Sequence, residues 1–397
     1  MVASPLHARL SKTGAASEVD RLVWLGACLK PDVILTRFAV SPAAQRWQRG
    51  LLAGLKQTVT DLQVLGHCPD RTWPYGHLRP GSVAELDEAF AQTLVPYTNL
   101  RGLRSSSLAK NYGSALSRIH ASGVGSPVIV SYNADEHVRI AVHRTFEGQV
   151  PWVPIILDHG LIGDTWTGGE PLLRGTAGAV YLSWWAHSRH TGSPSLHLDG
   201  GVTEASKGFP IRSTVKPRLL YTGSLDQWGG ITQLLDAFAR LQIPNATLVV
   251  TGWSQWPAIR NRLETTAGVD YRGRVDEATL LQLAEEAAVL VNPRPLKIPG
   301  NQMNFPSKLL EYLTYGRPVV TTMTPGVSPE YADFTIPAKS DSPDDLAAAI
   351  DRALSLDHDH RVEMARRAEH FLSTTRLWSI QAAKLWDFLR FEVASAS

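Results

Sequence analysis

The hydrophobic positions of this chain fall into short runs rich in Val, Ile and Leu, separated by longer stretches of mixed character. Such runs are typical of buried strands. In the first half they predict strands at Asp32–Thr36, Leu62–Leu65, Pro127–Ser131, Val153–Leu157 and Ala179–Ser183. In the second half they predict strands at Leu219–Thr222, Thr247–Thr251, Ala288–Asn292 and Pro318–Thr322. Short apolar strands that alternate with helices predict an α/β fold with parallel sheets covered on both faces.

The stretches between these strands carry helix signals. Three starts are marked by a capping side chain, followed in two cases by proline at the first helical position. They predict helices that begin after Ser41, Asp276 and Ser342. The first should run through Leu55. Amphipathic spacing predicts further helices at Asp135–Phe146, at Ile231–Leu241 and along the tail from Arg376 to Phe391.

The length of 397 residues predicts two domains, because single cores usually serve ~100–200 residues. The stretch Thr203–Arg218 contains Gly208, Pro210 and Pro217 with little apolar periodicity, so we expect a linker there. The predicted division is residues 1–208 for an N-terminal domain and 209–375 for a C-terminal domain, with the 376–397 helix packing back on the first. Two doubly wound sheets facing each other leave a cleft, and ligands bind at the carboxyl ends of their strands.

Composition excludes several classes of protein. The formal net charge is +2, which gives no electrostatic case for binding nucleic acid. The two cysteines, Cys28 and Cys68, form no metal-ligand spacing, so we expect neither a disulfide framework nor a structural zinc site, and we expect a reducing compartment. No apolar run approaches the ~20 residues of a membrane helix. A cytoplasmic protein is therefore expected, and contact with the inner face of the membrane stays open.

The segment from Asn304 to Val320 is the most informative part of the chain. Pro306 suits the first turn of a helix, and Gly316 suits its end. Free N–H groups near Ser307 and Lys308 could then bind a diphosphate, while Glu311 could accept hydrogen bonds from a ribose diol. An ordinary helix with a Lys–Glu surface pair explains the same spacing equally well.

The run Phe-Pro-Ser-Lys-Leu-Leu-Glu at 305–311, followed by Gly-Arg-Pro-Val-Val at 316–320, resembles the donor-site motif of GT-B glycosyltransferases, in particular the retaining enzymes of family 4. Three more segments are similar in the expected order. They are Tyr221-Thr-Gly-Ser-Leu225 with the helix after it, Tyr271-Arg-Gly-Arg-Val275, and Thr324-Pro-Gly-Val-Ser-Pro-Glu330. The resemblance covers roughly residues 216–355. It implies two Rossmann-like domains facing a cleft.

The resemblance also implies roles for single residues on the donor side. Glu311 would bind the ribose, and Arg274 and Val275 would meet the base through backbone groups. Gly223 and Ser224 would approach the diphosphate, with Lys308 neutralising its charge. The donor site would also include Asn304, Phe305, Ser307 and Arg294. No metal or other cofactor is expected beside the nucleotide-sugar donor.

Some positions depart from the family pattern. Met303 occupies the position of the first of two glutamates, of which Glu311 is the second. Ser224 and Gly229 stand where basic residues are common. Arg294 could supply the missing positive charge, with Lys297 as a weaker candidate.

The acceptor side is predicted less sharply. Asp158 and His159 follow a predicted strand and could serve catalysis together with Lys308. The histidine could orient an acceptor hydroxyl or contact the donor sugar, and the aspartate could take a proton or hold the histidine tautomer. A turn aspartate and a core histidine explain them as well. Arg46 or Arg49 could meet a phosphate, or belong to a charged helix face.

These expectations describe a hexosyltransferase-like enzyme that moves a sugar from a nucleoside diphosphate to a hydroxyl acceptor, with retention. The acceptor would be a glycan, a lipid-linked sugar or a small molecule in polysaccharide or glycolipid synthesis. Two alternatives remain at this point. One is a nucleotide-sugar 2-epimerase of the same architecture, and the other is a non-catalytic partner that binds nucleotide sugar.

Overall fold

The N-terminal half forms a sheet of seven parallel strands. The computed structural model describes residues 20–36, 40–122, 127–157, 161–162, 165–166, 173–212 and 216–394. The seven strands are β1 Arg21–Leu25, β2 Asp61–Gly66, β3 Gln92–Leu94, β4 Val128–Tyr132, β5 Trp152–Ile156, β8 Ala179–Tyr181 and β9 Ser195–His197. Two short strands, β6 Leu161–Ile162 and β7 Thr165–Trp166, form a separate antiparallel pair. The order across the large sheet is β3-β2-β1-β4-β5-β8-β9.

Helices cover this sheet on both faces, as the alternation of patterns predicted. They are α1 Pro31–Thr36, α2 Pro42–Thr58, α3 Arg104–Ser122, α4 Glu136–Phe146 and α5 Trp184–His187. The predicted cap of α2 is confirmed, because the Ser41 side chain accepts a hydrogen bond from the Ala44 N–H.

The strand predicted at Asp32–Thr36 is wrong, since this segment is helix α1. Pro31 fixes a helical φ at the first position, and Asp32 in the first turn favours the positive helix end. The central strand is instead Arg21–Leu25, all five residues of which are buried. Its apolar run is only four residues long, which made it hard to recognise.

The C-terminal half repeats the architecture with six parallel strands. They are β10 Arg218–Ser224, β11 Thr247–Trp253, β12 Val269–Gly273, β13 Val289–Asn292, β14 Val319–Thr322 and β15 Ile336–Ala338. Their order is β12-β11-β10-β13-β14-β15. The helices are α6 Ile231–Phe238, α7 Pro257–Thr265, α8 Glu277–Glu286, α9 Lys308–Thr314, α10 Pro343–Leu354 and α11 His358–Phe371. Asp276 and Ser342 cap α8 and α10 with their side chains, as predicted.

The last helix, α12 Trp378–Asp387, returns to the N-terminal domain and packs along α2. The two helices approach closely because α2 has glycine at the contact. A Cβ on Gly50 would overlap the ring of Trp378, and one on Gly54 would lie 2.6 Å from the Cβ of Ala382. Apolar residues of this tail therefore complete the N-terminal core.

Cys28 and Cys68 are both buried, and neither forms a disulfide bond within the part of the chain that the structure describes. In the part of the chain that the structure describes, no helix combines the length and the apolar character needed to cross a membrane.

A buried ion-pair network joins the two domains to the tail. The Arg376 Nε lies 3.0 Å from Asp199 Oδ1, and its Nη2 lies 2.5 Å from Glu330 Oε1. Tyr331 donates a hydrogen bond of 2.8 Å to Asp199 Oδ2. Burial opposes the charge of Arg376, but Tyr331, Asp199 and Glu330 raise its pKa overall. One guanidinium thus ties residue 199 of the first domain to residues 330–331 of the second.

We expect Arg376→Ala to destabilise the protein by about 3–5 kcal/mol, because it would remove the cationic partner of the buried Asp199 side chain. The measurement is thermal and urea unfolding. Arg366→Ala is the matched control, since it removes only a solvent-exposed pair with Glu363 and should leave the free energy of unfolding nearly unchanged. Equal effects of the two substitutions would contradict a special role for the buried network.

Candidate functional site

The Lys308 side chain lies at the carboxyl end of β10. Its Nζ is 5.0 Å from the centre of the Tyr221 ring. Gly223 has a φ of +122°, and a Cβ at this position would overlap the Lys308 Nζ. Only glycine therefore fits beside this ammonium group. The structure brings together two of the predicted donor-site residues, Gly223 and Lys308.

Two buried cations share this end of the sheet. Burial, and to a lesser extent repulsion from Arg294, lowers the pKa of Lys308 to about 7, although Glu311 and Asp226 oppose the shift. Burial also lowers the pKa of Arg294. The Arg294 Nη1 donates to Asn304 Oδ1 at 3.0 Å and to Asn301 Oδ1 at 3.3 Å. Because these acceptors are neutral, an anion that bound here would relieve the repulsion between the two cations.

The loop after β10 explains why the expected basic side chains are absent. Asp226 accepts hydrogen bonds from the Ser224 hydroxyl and from the Gly229 N–H, which folds the loop back on itself. A Cβ on Gly229 would overlap the Tyr221 hydroxyl and lie 2.5 Å from the Ser224 carbonyl oxygen. No side chain fits at position 229. Arg294, from the end of β13, is the basic group that reaches this region.

Glu311 faces a cleft between α9 and α2. Its Oε1 accepts a hydrogen bond of 2.9 Å from the Tyr315 hydroxyl, and its Oε2 lies 3.9 Å from Arg46 Nη1. The cleft has a volume of about 630 Å³, and Ser307 and Glu277 also line it. Both arginines of α2, Arg46 and Arg49, line this cleft, and Arg46 is the one that approaches Glu311.

The other predicted residues are distributed as follows. Arg49 donates to the Leu29 carbonyl at 2.7 Å and pairs with Asp87, so it stabilises the N-terminal domain. Arg274 and Val275 follow β12, and the guanidinium of Arg274 lies 5.4 Å from the centre of the Trp253 ring.

Phe305 does not present its side chain to a ligand. The ring is buried and lies 5.4 Å from the Tyr331 ring, in the core of the C-terminal domain. Only its backbone could meet a donor. Asp158 and His159 lie outside the described residues.

The Met303 side chain, from the C-terminal domain, packs against the N-terminal domain. It is fully buried in a cluster with residues of the N-terminal domain, among them Ala134, Ile156 and Tyr181. A glutamate at this position would be buried among apolar groups, at a cost of several kcal/mol. The departure from the two-glutamate pattern therefore accompanies an apolar contact between the domains.

A second cavity, of about 740 Å³, lies at the carboxyl ends of the N-terminal strands. Three polar atoms among its lining residues are buried and have no hydrogen-bond partner in the described structure: Gln48 Oε1, Asn133 Oδ1 and His137 Nε2. Burial also lowers the pKa of His67, another lining residue, to about 3, so this ring is neutral at pH 7. Its Nδ1 lies 2.9 Å from the Tyr112 hydroxyl. Neutral donors and acceptors of this kind suit the hydroxyl groups of a sugar.

The sequence analysis did not assign these residues a function. The available signal was their position, because His67 directly follows β2 and Asn133 directly follows β4. Gln48 and Tyr112 gave no such signal, since each lies in the middle of a helix. In the described part of the chain, no group of three or more His, Cys, Asp or Glu side chains is arranged to hold a metal ion.

Comparison with known proteins gives a family match in the C-terminal half. Residues 216–356 match the model of the family described as glycosyl transferases group 1. No curated protein sequence matches the chain.

Solved structures resemble the chain over almost its whole length. The lipopolysaccharide outer core galactosyltransferase WaaB is 13% identical, with a TM-score of 0.63 over 93% of this chain and 99% of that one. The α,α-trehalose 6-phosphate synthase of Burkholderia multivorans is 14% identical, with a TM-score of 0.64 over 96% and 100%. The sucrose-phosphate synthase of Thermosynechococcus elongatus is 17% identical, with a TM-score of 0.62 over 95% and 100%. At these identities the likeness concerns the fold, and it confirms the predicted pair of Rossmann-like domains.

Proposed function

We propose that this chain, which has the GT-B fold and matches the group 1 glycosyltransferase family at residues 216–356, is a glycosyltransferase that moves a sugar from a nucleoside diphosphate to a hydroxyl acceptor with retention. The observation that carries the proposal is the Lys308 ammonium, held by burial against Gly223 and beside Arg294. An ammonium group placed in this way would be stabilised by additional negative charge, which a diphosphate supplies.

The donor would lie across the carboxyl end of the second sheet. Its diphosphate would contact Lys308 and Arg294, and Gly223 leaves room for close approach. Its ribose hydroxyls would donate to Glu311, whose second oxygen faces the cleft. Its base would lie near Arg274 and Val275, at the end of β12.

Bond cleavage would be assisted by these cations. Negative charge grows on the diphosphate as the glycosidic bond breaks, and fixed positive groups stabilise it without having to reorganise. Retention requires the acceptor hydroxyl to approach on the side of the leaving diphosphate. An oxygen of the leaving diphosphate could take the proton of the acceptor hydroxyl, so a separate protein base is not required. We propose no metal, because the chain's own cations can carry this role.

The acceptor would enter the cavity of the N-terminal domain. Gln48, Asn133 and His137 provide the unpaired polar atoms that sugar hydroxyls need. Leu157, also in the lining, immediately precedes Asp158 and His159, which we retain as proposed catalytic residues. The solved structures include a galactosyltransferase of the lipopolysaccharide core, which is consistent with a glycan or lipid-linked acceptor. A cytoplasmic location, peripheral membrane contact and no nucleic-acid partner remain part of the proposal.

The test is incubation with a panel of nucleoside diphosphate sugars, with and without an acceptor panel. We expect release of the nucleoside diphosphate to rise when acceptor is present, with a new glycoside as the product. Conversion of the donor sugar without acceptor would instead indicate the epimerase. Binding without any turnover would indicate the non-catalytic partner.

Glu311→Ala should weaken nucleoside diphosphate binding by about 10- to 100-fold, because hydrogen bonds to a charged group contribute about 1.5–3 kcal/mol. Titration calorimetry measures the loss. Glu277→Ala, on the wall of the same cleft, is the control and should change affinity by less than about twofold. Unchanged affinity in the Glu311 variant would exclude the ribose contact.

Binding of the donor should be accompanied by proton uptake near neutral pH. The free enzyme holds Lys308 with a pKa of about 7, so the group is largely neutral at about pH 8 and largely charged at about pH 6. A bound diphosphate raises this pKa again. Uptake should therefore approach one proton at the higher pH and fall toward zero at the lower.

Calorimetry in buffers of different ionisation enthalpy measures this uptake. A nucleoside diphosphate sugar is the right ligand, since its phosphates do not titrate in this range. Lys308→Gln should abolish the uptake. Uptake that persists in this variant would assign the proton to another group.

A further inference from the structure

The loop between β2 and a short 3₁₀ turn at Val83–Glu85 presents large apolar side chains to solvent. Ten large hydrophobic side chains are exposed among the described residues, and five of them lie in or beside this loop, Val83 at its end among them. Trp73 is 51% exposed, Tyr75 84%, Leu78 43% and, on the neighbouring turn before α3, Leu103 53%. These four residues, with Arg79 and Arg101, are called the docking surface below.

The loop that carries these exposed side chains is held in place by hydrogen bonds. The buried amide of Asn99 donates to the carbonyl oxygens of Arg71 at 2.6 Å and His77 at 3.0 Å. The Asn99 N–H donates to the Leu78 carbonyl at 2.8 Å, and the Trp73 N–H donates to the Asn99 carbonyl at 3.1 Å. These bonds hold the backbone of the loop on the turn that carries Leu103. The aromatic side chains are therefore held outward, where they gain nothing from the core.

The charges around these side chains are basic. Arg79 and Arg101 are exposed and form no ion pair with any described residue. The nearest acid in the loop, Asp70, is used internally, since it accepts from the N–H groups of Arg71 and His77. Trp and Tyr are the residues that favour the headgroup region of a bilayer, and arginines bind anionic headgroups. Aromatic tips with a basic rim are complementary to an anionic lipid surface.

The inner side of the same segment lines the cavity of the N-terminal domain. Pro69, Thr72, Arg101 and Arg104 all contribute to its wall. A membrane that contacted the outer side would therefore lie next to the mouth of the cavity. An acceptor anchored in that membrane could enter without leaving it.

We propose that the docking surface binds the headgroup region of an anionic bilayer and thereby presents the acceptor cavity to a lipid-anchored substrate. Only the route of the acceptor rests on the proposed sugar transfer. Membrane binding itself is independent of it, and the assay below contains no nucleotide, so the two proposals can fail separately.

The test is sedimentation of the full chain with vesicles of phosphatidylcholine, alone or mixed with phosphatidylglycerol. We expect binding to the mixed vesicles and little to the neutral ones, with a decrease as salt rises. Trp73→Ser with Tyr75→Ser should weaken partitioning at least about tenfold. Arg79→Gln with Arg101→Gln should weaken binding to the mixed vesicles by about fivefold per arginine while leaving neutral vesicles unaffected.

Trp256→Ser with Phe391→Ser is the matched control. Both residues are exposed to a similar extent, at 53% and 59%, and lie outside the docking surface. This variant should partition like the unmodified protein, and thermal unfolding should be unchanged in all three variants. Absence of binding to the mixed vesicles, or full binding by the Trp73/Tyr75 variant, would overturn the proposal. Self-association in light scattering that the same variant abolishes would replace the bilayer by a second copy of the chain.

Discussion

The geometry of the whole molecule depends on one buried guanidinium. Arg376 binds Asp199 at the end of the first domain and Glu330 in the second, and Tyr331 completes the network. The same segment continues into α12, which packs on α2. The helices α2 and α9 form opposite walls of the cleft. The tail that crosses between the domains therefore fixes the width of the cleft. Removing one member of such a network leaves a buried charge uncompensated, which is strongly destabilising.

On the proposed donor side, two positively charged side chains are buried at the carboxyl end of the second sheet. Lys308 and Arg294 lie near each other, and burial lowers the pKa of both. Such an arrangement is costly in the free protein and favourable once an anion binds. The close fit of Lys308 against Gly223 means that the ammonium is positioned before the ligand arrives. This is the physical basis on which a diphosphate leaving group would be recognised and stabilised.

The departures from the family pattern have structural counterparts. Gly229 has no room for a side chain, and Arg294 approaches the same region from another strand. Met303 replaces a carboxylate and contacts the N-terminal domain through an apolar cluster. At the first position a positive charge approaches from another part of the chain, and at the second an apolar contact between the domains replaces a charged group.

Local patterns in the sequence determined the alternation of strands and helices, the caps at Ser41, Asp276 and Ser342, and the motif at Lys308 and Glu311, because each depends on neighbours a few residues away. They failed at Asp32–Thr36, where a six-residue helix has the composition of a strand. Only the tertiary structure brought Arg294 to Asn304, Arg46 to Glu311 and Gln48 to the cavity beside His137. Those contacts join segments that are remote in sequence or on different elements, and the folding of two sheets around a common cleft decides them.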